Sequence, residues 1–181
     1  MIIHHLNSCE IFHRDLKPEN FLLRTESNGR LYLHLSDFGQ AKNTKPDYTR
    51  RTSKTGSLKG TVEYLAPEIL NASLAKPNIS KQDVWSIGVI AYQLCTRSLP
   101  FEGAVTGATV AEIVSRPHKP IPDELYSDEL RGIINRLLTK DPEQRPSIQE
   151  LTQFPIIQNA LDKLTKEFEG KTFFELRNSL I

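Results

Sequence analysis

The stretch His13-Arg14-Asp15-Leu16-Lys17-Pro18-Glu19-Asn20 decides the reading of this chain. Seventeen residues beyond Asn20 stands Asp37-Phe38-Gly39, and further on Ala66-Pro67-Glu68. What separates these motifs is as informative as the motifs. Between the first two, Phe21-Leu22-Leu23 and residues 31–35 (Leu-Tyr-Leu-His-Leu) read as two short strands. Ser27-Asn28-Gly29 supplies the turn, because Asn and Gly tolerate positive φ. Between the last two motifs, residues 40–60 are polar, aperiodic and rich in Thr, Ser, Lys and Arg. That composition predicts a long loop, and long loops inside compact domains are usually functional or disordered.

Working outward, residues 83–95 (Asp-Val-Trp-Ser-Ile-Gly-Val-Ile-Ala-Tyr-Gln-Leu-Cys) carry apolar side chains around nearly the whole helical circumference. This predicts a buried central helix. Leu130, Ile133, Ile134, Leu137 and Leu138 follow the spacing of an amphipathic helix. Ser147 with Glu150 fits a capping box that opens another helix, and Pro155 breaks or restarts it. Ile157, Leu161 and Leu164 continue at helical spacing, as do Ile2, Ile3 and Leu6 at the start. The charged stretch from Lys166 onward gives no assignable element. The expectation is a mostly α chain with one small β-hairpin.

The 181 residues suit one domain with a sizeable core. A formal net charge of +1 points to neither nucleic acid nor a membrane surface. Cys9 and Cys95 lie far apart, which is no disulfide framework and fits a reduced cytoplasmic or nuclear setting. No apolar run reaches the roughly 18 residues of a membrane span, and the first residues do not read as a signal peptide. Neither a nucleic-acid nor a membrane partner is expected.

The three motifs in this order resemble the eukaryotic-type protein kinases, where a His-Arg-Asp-Leu loop with a following Asn precedes Asp-Phe-Gly and Ala-Pro-Glu. The resemblance covers roughly residues 1–160 and implies the helical C-terminal lobe of a fold that is α+β when complete. It further implies an activation segment over 37–68 and a tail of unknown role over 161–181. Phosphoryl transfer asks a protein for an aligned hydroxyl, neutralised phosphate charge and fixed geometry. By resemblance, Asp15 accepts the proton of the substrate hydroxyl and orients it. Lys17 offsets charge developing on the γ-phosphate of ATP. Asn20 and Asp37 supply the hard oxygen ligands that Mg²⁺ prefers. Gly60-Thr61-Val62-Glu63-Tyr64 before Ala66, with Lys17, resembles serine/threonine rather than tyrosine kinases, so the implied partners are proteins bearing Ser or Thr.

Other positions match residue by residue. Thr61 is implied to hydrogen-bond toward Asp15 and Lys17, against a plain buried loop threonine. Asp83 is implied to anchor the backbone of the His13–Asn20 loop, a role compatible with an ordinary helix N-terminal aspartate. Glu68 and Arg145 resemble a structural buried ion pair. Leu22 resembles the residue beneath the adenine ring, with hairpin core as the alternative. The 40–60 loop sets Lys42, Lys45, Arg50, Arg51, Lys54 and Lys59 against one acid, Asp47. In the family an arginine placed like Arg14 pairs with a phosphate on this loop. Ser57, with Thr55 as a second candidate, is the implied phosphosite of an upstream activating kinase.

The 181 residues contain no Gly-x-Gly-x-x-Gly loop and no Val-Ala-Ile-Lys-like strand with a glutamate partner for its lysine. The resemblance therefore implies a kinase lobe with little or no ATP turnover by these residues alone. The rival readings are an inactive, one-lobed binding module or scaffold, and a fragment that does not fold stably.

Overall fold

The helix expected over 83–95 begins four residues earlier and forms the centre of the molecule. The computed structural model describes residues 2–25, 31–43, 61–71, 78–101 and 107–167. In chain order its elements are α1 (Ile2–Ser8), β1 (Ile11–Phe12), β2 (Phe21–Thr25), β3 (Leu31–Leu35), β4 (Lys42–Asn43) and α2 (Pro67–Leu70). Then come α3 (Ile79–Thr96), α4 (Gly107–Ser115), α5 (Asp128–Leu137), α6 (Ile148–Leu151) and α7 (Pro155–Glu167). Tight 3₁₀ turns occupy Pro18–Asn20, Phe38–Gln40 and Val62–Tyr64.

Asn78 caps α3 by accepting from the Ser80 backbone N–H, and Arg97 ends it in the left-handed region at φ 57°. The cap places Asp83 on the fifth residue of α3, beyond the reach of the helix dipole's favourable end. The alternative of a simple N-terminal aspartate is thereby displaced. α3 divides the core. Val84 packs with Ile3, Leu16, Ile133, Leu137, Ile148 and Leu151 on one side. Trp85, Val89 and Tyr92 pack with Tyr64, Phe101, Ile113, Ile121, Ile134 and Leu138 on the other. A helix wedged between two apolar groups needs the all-round apolar surface seen in its sequence.

Gly88 permits the closest approach to α5. A Cβ there would stand 2.8 Å from Leu137 Cβ and 3.1 Å from Leu138 Cδ2. Gly132, on α5, has nothing within 4 Å of an added Cβ. Gly88→Ala is expected to destabilise the protein by about 1–3 kcal/mol through overpacking. Gly132→Ala is expected to stabilise it by up to about 1 kcal/mol through helix propensity. Urea unfolding should show midpoints moving in opposite directions. A Gly88→Ala midpoint at or above that of the parent chain would refute the close-contact account.

The hairpin pairs β2 with β3 antiparallel, Phe21 opposite Leu35 through Thr25 opposite Leu31. β2 extends two residues past the expected strand, and the turn assigned to residues 27–29 lies outside the described residues. A second ladder, β1 with β4, was not legible in the sequence; it sets Ile11 opposite Asn43 and Phe12 opposite Lys42. Leu138, expected inside an amphipathic helix, is the C-cap of α5. The capping box at Ser147 and Glu150 is present in both directions. The Glu150 carboxylate is held below its usual pKa by the hydrogen bonds it accepts from Ser147. α7 starts at Pro155, where the Ile156 N–H donates to Glu129 Oε1 at 3.1 Å, and continues past residue 160 to Glu167.

Candidate active site

The His13–Asn20 loop leaves β1 and is pinned from below by α3. Both Asp83 carboxylate oxygens accept backbone N–H groups, from Arg14 at Oδ1 and His13 at Oδ2, each 2.8 Å. Gln82 Nε2 donates to the Arg14 carbonyl at 2.9 Å. Burial pushes the Asp83 carboxyl above its usual pKa, opposed by the two N–H bonds. Arg14 sits at φ 66°, a region unfavourable for a long side chain. Three hydrogen bonds from consecutive α3 side chains hold that strained backbone in place. The Arg14 Nε donates to the Gln40 carbonyl at 2.6 Å, and burial pulls the guanidinium below its usual pKa.

The strained turn presents Asp15, Lys17 and Asn20 together. Asp15 is buried. Its Oδ1 accepts from the Thr61 N–H at 3.0 Å and the Thr61 hydroxyl at 3.1 Å. Its Oδ2 lies 3.4 Å from Lys17 Nζ, which also donates to Thr61 Oγ1 at 3.0 Å. Asp15, Lys17 and Thr61 thus close a triangle across 46 residues of chain. The buried Asn20 amide donates from Nδ2 to the Asp15 carbonyl at 2.7 Å. That bond orients the amide and leaves Oδ1 as its remaining polar atom.

Ser36 stitches the hairpin to this loop. Its N–H and hydroxyl donate to the Asn20 carbonyl at 2.9 and 3.1 Å. His13 Nε2 lies 3.0 Å from the Ser36 carbonyl. A carbonyl can only accept, so Nε2 carries the proton. The His13 ring meets Phe38 edge-on at 5.1 Å, which fits packing rather than chemistry. Next along the chain, Asp37 adopts φ 59°, ψ 71°, and its carboxylate accepts from the Gly39 N–H at 3.2 Å. Aspartate tolerates this left-handed geometry better than most residues.

Thr61 is held by its successors. The Val62–Tyr64 turn leads into α2, and the Ser86 hydroxyl on α3 donates to the Tyr64 carbonyl at 2.8 Å. The Tyr64 hydroxyl donates to Gln93 Oε1 at 2.9 Å. Burial raises the Tyr64 pKa, and the carboxylates of Glu19 and Glu63 add to the rise. Glu68 on α2 and Arg145 are fully buried and paired fork to fork at 2.8 and 3.0 Å.

Leu22 lies on the open hairpin and is 53% exposed, so the hairpin-core alternative fails. Leu23, Leu31 and Leu33 on the hairpin and Phe38 beside it are exposed too, while Ile3 and Phe12 are buried. Ser57 and Thr55 lie outside the described residues. Gln82, Ser36, Ser86 and Gln93 were missed by sequence reasoning. Their partners stand 16 to 68 residues away, and no local spacing signals such contacts.

A helical lobe that presents a strained aspartate loop against a threonine and an ion-paired segment is matched over residues 2–157 by the family model described as protein kinase domain. The chain belongs to the protein kinase family. It is 35% identical over 168 residues to the probable serine/threonine-protein kinase nek3 of Dictyostelium discoideum, covering 93% of this chain and 14% of that protein. It is 34% identical over 157 residues to human serine/threonine-protein kinase Nek10, covering 86% of this chain and 12% of that protein. The chain therefore spans a small part of the curated relatives it matches. Among solved structures it resembles the Rad53 kinase domain, crystallised with SCD2 and AMPPNP. That match has a TM-score of 0.64 and 28% identity, covering 86% of this chain and 54% of the other.

Proposed function

We propose that this chain is the helical lobe of a serine/threonine protein kinase that transfers the γ-phosphate of ATP to Ser or Thr hydroxyls of proteins. The observation that carries the reading is the Asp15–Lys17–Thr61 triangle. An acidic oxygen and an ammonium 3.4 Å apart suit a reaction in which a hydroxyl oxygen attacks phosphorus while its proton leaves. Asp15 accepts that proton and fixes the direction of the oxygen. Lys17 stands where it can offset charge on the transferred phosphoryl group. Thr61 holds both. Asn20 Oδ1 and the Asp37 carboxylate are hard oxygen donors that fit Mg²⁺, and with Leu22 they form the nucleotide side of the site. The bound ion would neutralise phosphate charge. The AMPPNP in the Rad53 structure supports the nucleotide reading.

The domain proposal keeps residues 1–160 as the partial catalytic domain and 161–181 as a tail. Arg14 is the proposed partner of a phosphate at Ser57 or Thr55, placed there by an upstream kinase. Among the described residues no helix is long and apolar enough to cross a membrane, and a cytoplasmic or nuclear site of action is proposed. The exposed hairpin leucines support a second reading, a binding module without activity.

Two measurements separate these readings. The 181 residues alone, with labelled ATP, Mg²⁺ and casein, should transfer little phosphate, because they contain no Gly-x-Gly-x-x-Gly segment to grip it. Fusing a glycine-rich lobe from a related kinase ahead of residue 1 should yield Mg²⁺-dependent phosphoserine and phosphothreonine. Phosphotyrosine as the main product would overturn the substrate class. A folded fusion that binds nucleotide without transfer would favour the binding module.

A further inference from the structure

Asp15 sits between two peptide planes, and an amide side chain holds each of them. On the C-terminal side, Asn20 Nδ2 donates to the Asp15 carbonyl at 2.7 Å. On the N-terminal side, Gln82 Nε2 donates to the Arg14 carbonyl at 2.9 Å, across 68 residues of chain. A peptide unit is planar, so fixing the Arg14 carbonyl also fixes the direction of the Asp15 N–H. The φ and ψ angles of Asp15 are the rotations between those two planes. With both planes held, the Asp15 side chain leaves the backbone in one direction. That direction brings Oδ1 to the Thr61 N–H and hydroxyl at 3.0 and 3.1 Å.

The plane that Gln82 holds is the one with most reason to turn. Arg14 adopts φ 66°, where a side chain crowds its own backbone. Asp83 fixes the plane before Arg14 through the Arg14 N–H at 2.8 Å. The plane after Arg14 is outside the reach of that bond. Rotation about the backbone bonds of Arg14 would relieve the strain and swing its carbonyl, and the Asp15 N–H with it. The bond from Gln82 opposes this rotation. Gln82 stands on α3 directly before Asp83 and is 3% exposed. Turning the carbonyl away would leave a buried amide donor unmet, so the side chain and the carbonyl hold each other.

We propose that Gln82 is a positioning residue for phosphoryl transfer. Acting through the Arg14–Asp15 peptide, it sets the direction in which Asp15 presents its carboxylate. The kinetic consequence rests on the proposed kinase function. The structural consequence, loss of the Asp15–Thr61 bonds once the amide is removed, does not.

Gln82→Met keeps the length and bulk of the side chain and removes the donor. In the two-lobed fusion it should lower kcat about 10- to 100-fold, the scale of a misplacement of about 1 Å at a reacting group. KM for ATP should stay within about twofold, because the effect falls on the chemical step. In an Asp15→Asn background the same change should lower kcat less than about twofold further, because a residue that acts through Asp15 then has nothing left to position. A fall of less than tenfold with Asp15 present, or an equal fall in both backgrounds, overturns the proposal. The 181-residue chain supplies a readout that needs no transfer. In Gln82→Met the Thr61 amide, which donates to Asp15 Oδ1, should exchange with solvent several-fold faster, while amides in the middle of α5 keep the parent rate. Unchanged Thr61 exchange, or equal acceleration at both places, overturns the positioning. Should the parent fusion transfer no phosphate, the kinase reading fails, and Thr61 exchange alone decides whether Gln82 positions Asp15. Should Gln82→Met fail to fold, Gln82→Asn, one methylene shorter and out of reach of the Arg14 carbonyl, is measured in its place.

Discussion

Asp15→Asn, in a fusion that pairs this lobe with a glycine-rich lobe, should lower kcat by about 10²–10⁴-fold, the range contributed by a positioned acid–base group. The substitution keeps the size and shape of the side chain. An amide oxygen can still accept from the Thr61 N–H and hydroxyl, which now lie 3.0 and 3.1 Å from Asp15 Oδ1. What changes is Oδ2, which becomes an NH₂ group facing the Lys17 ammonium 3.4 Å away. Two donors then oppose each other, and no oxygen remains to take the hydroxyl proton. Fold stability and KM for ATP should change little, because Asn20 and Asp37 keep their own bonds to the Asp15 carbonyl and the Gly39 N–H. A fall in kcat of less than tenfold would remove Asp15 from the chemistry. A large fall accompanied by an equal loss of thermal stability would make it a structural residue. Asp37→Ala in the same fusion separates the metal side, since it should abolish the Mg²⁺ dependence of nucleotide binding while leaving the Asp15–Thr61 bonds in place.

The parts of this molecule legible in sequence are those with a local period or an ordered set of motifs. α3 and α5 announce themselves by apolar spacing, and α6 by a capping box within four residues. The β2–β3 hairpin shows as two apolar runs around a turn. The β1–β4 ladder was not legible because each strand is two residues long and their partners stand 30 and 32 residues apart. α3 was placed four residues late because Ile79-Ser80-Lys81-Gln82 reads as polar. Gln82 is nevertheless buried, being tied to the Arg14 carbonyl, and only the folded loop supplies that partner. The same holds for the site. Motif order brought Asp15, Lys17, Asn20 and Thr61 forward as candidates, and the fold brings them into contact. The strain at Arg14 and the double clamp from Asp83 follow from chain segments about 70 residues apart. Leu22 shows the limit of local reading, since hairpins place apolar residues toward core or toward solvent, and nothing nearby in sequence decides which.

Arg145→Ala should cost about 3–5 kcal/mol, the usual penalty for stranding one member of a buried ion pair. Against a total stability of about 5–15 kcal/mol for a domain, that is enough to unfold much of the population. All five guanidinium N–H groups are used. Nη1 donates to Glu68 Oε1 at 2.8 Å and the Lys81 carbonyl at 2.9 Å. Nη2 donates to Glu68 Oε2 at 3.0 Å and the Lys140 carbonyl at 3.3 Å, and Nε to the Thr139 carbonyl at 3.1 Å. Removal leaves a fully buried carboxylate without a counter-charge and takes one donor from each of three carbonyls. Arg145→Lys should not rescue, because three donors on a flexible stem cannot replace a planar fork of five. Replacing Glu68 and Arg145 together with apolar residues of similar volume should cost much less than either single truncation, because it removes both desolvated charges at once. Urea unfolding of the four variants completes a double-mutant cycle. Additive single effects would show that the two residues do not act as a unit, and an Arg145→Ala chain within 1 kcal/mol of the parent would refute the account. The pair also bears on the site, because Glu68 follows Thr61 by seven residues. Freeing α2 frees the segment that holds the Thr61 hydroxyl 3.1 Å from Asp15. In the two-lobed fusion, Glu68→Gln should therefore raise KM for the protein substrate more than KM for ATP, and equal changes in the two would show that the pair stabilises the lobe without positioning Thr61.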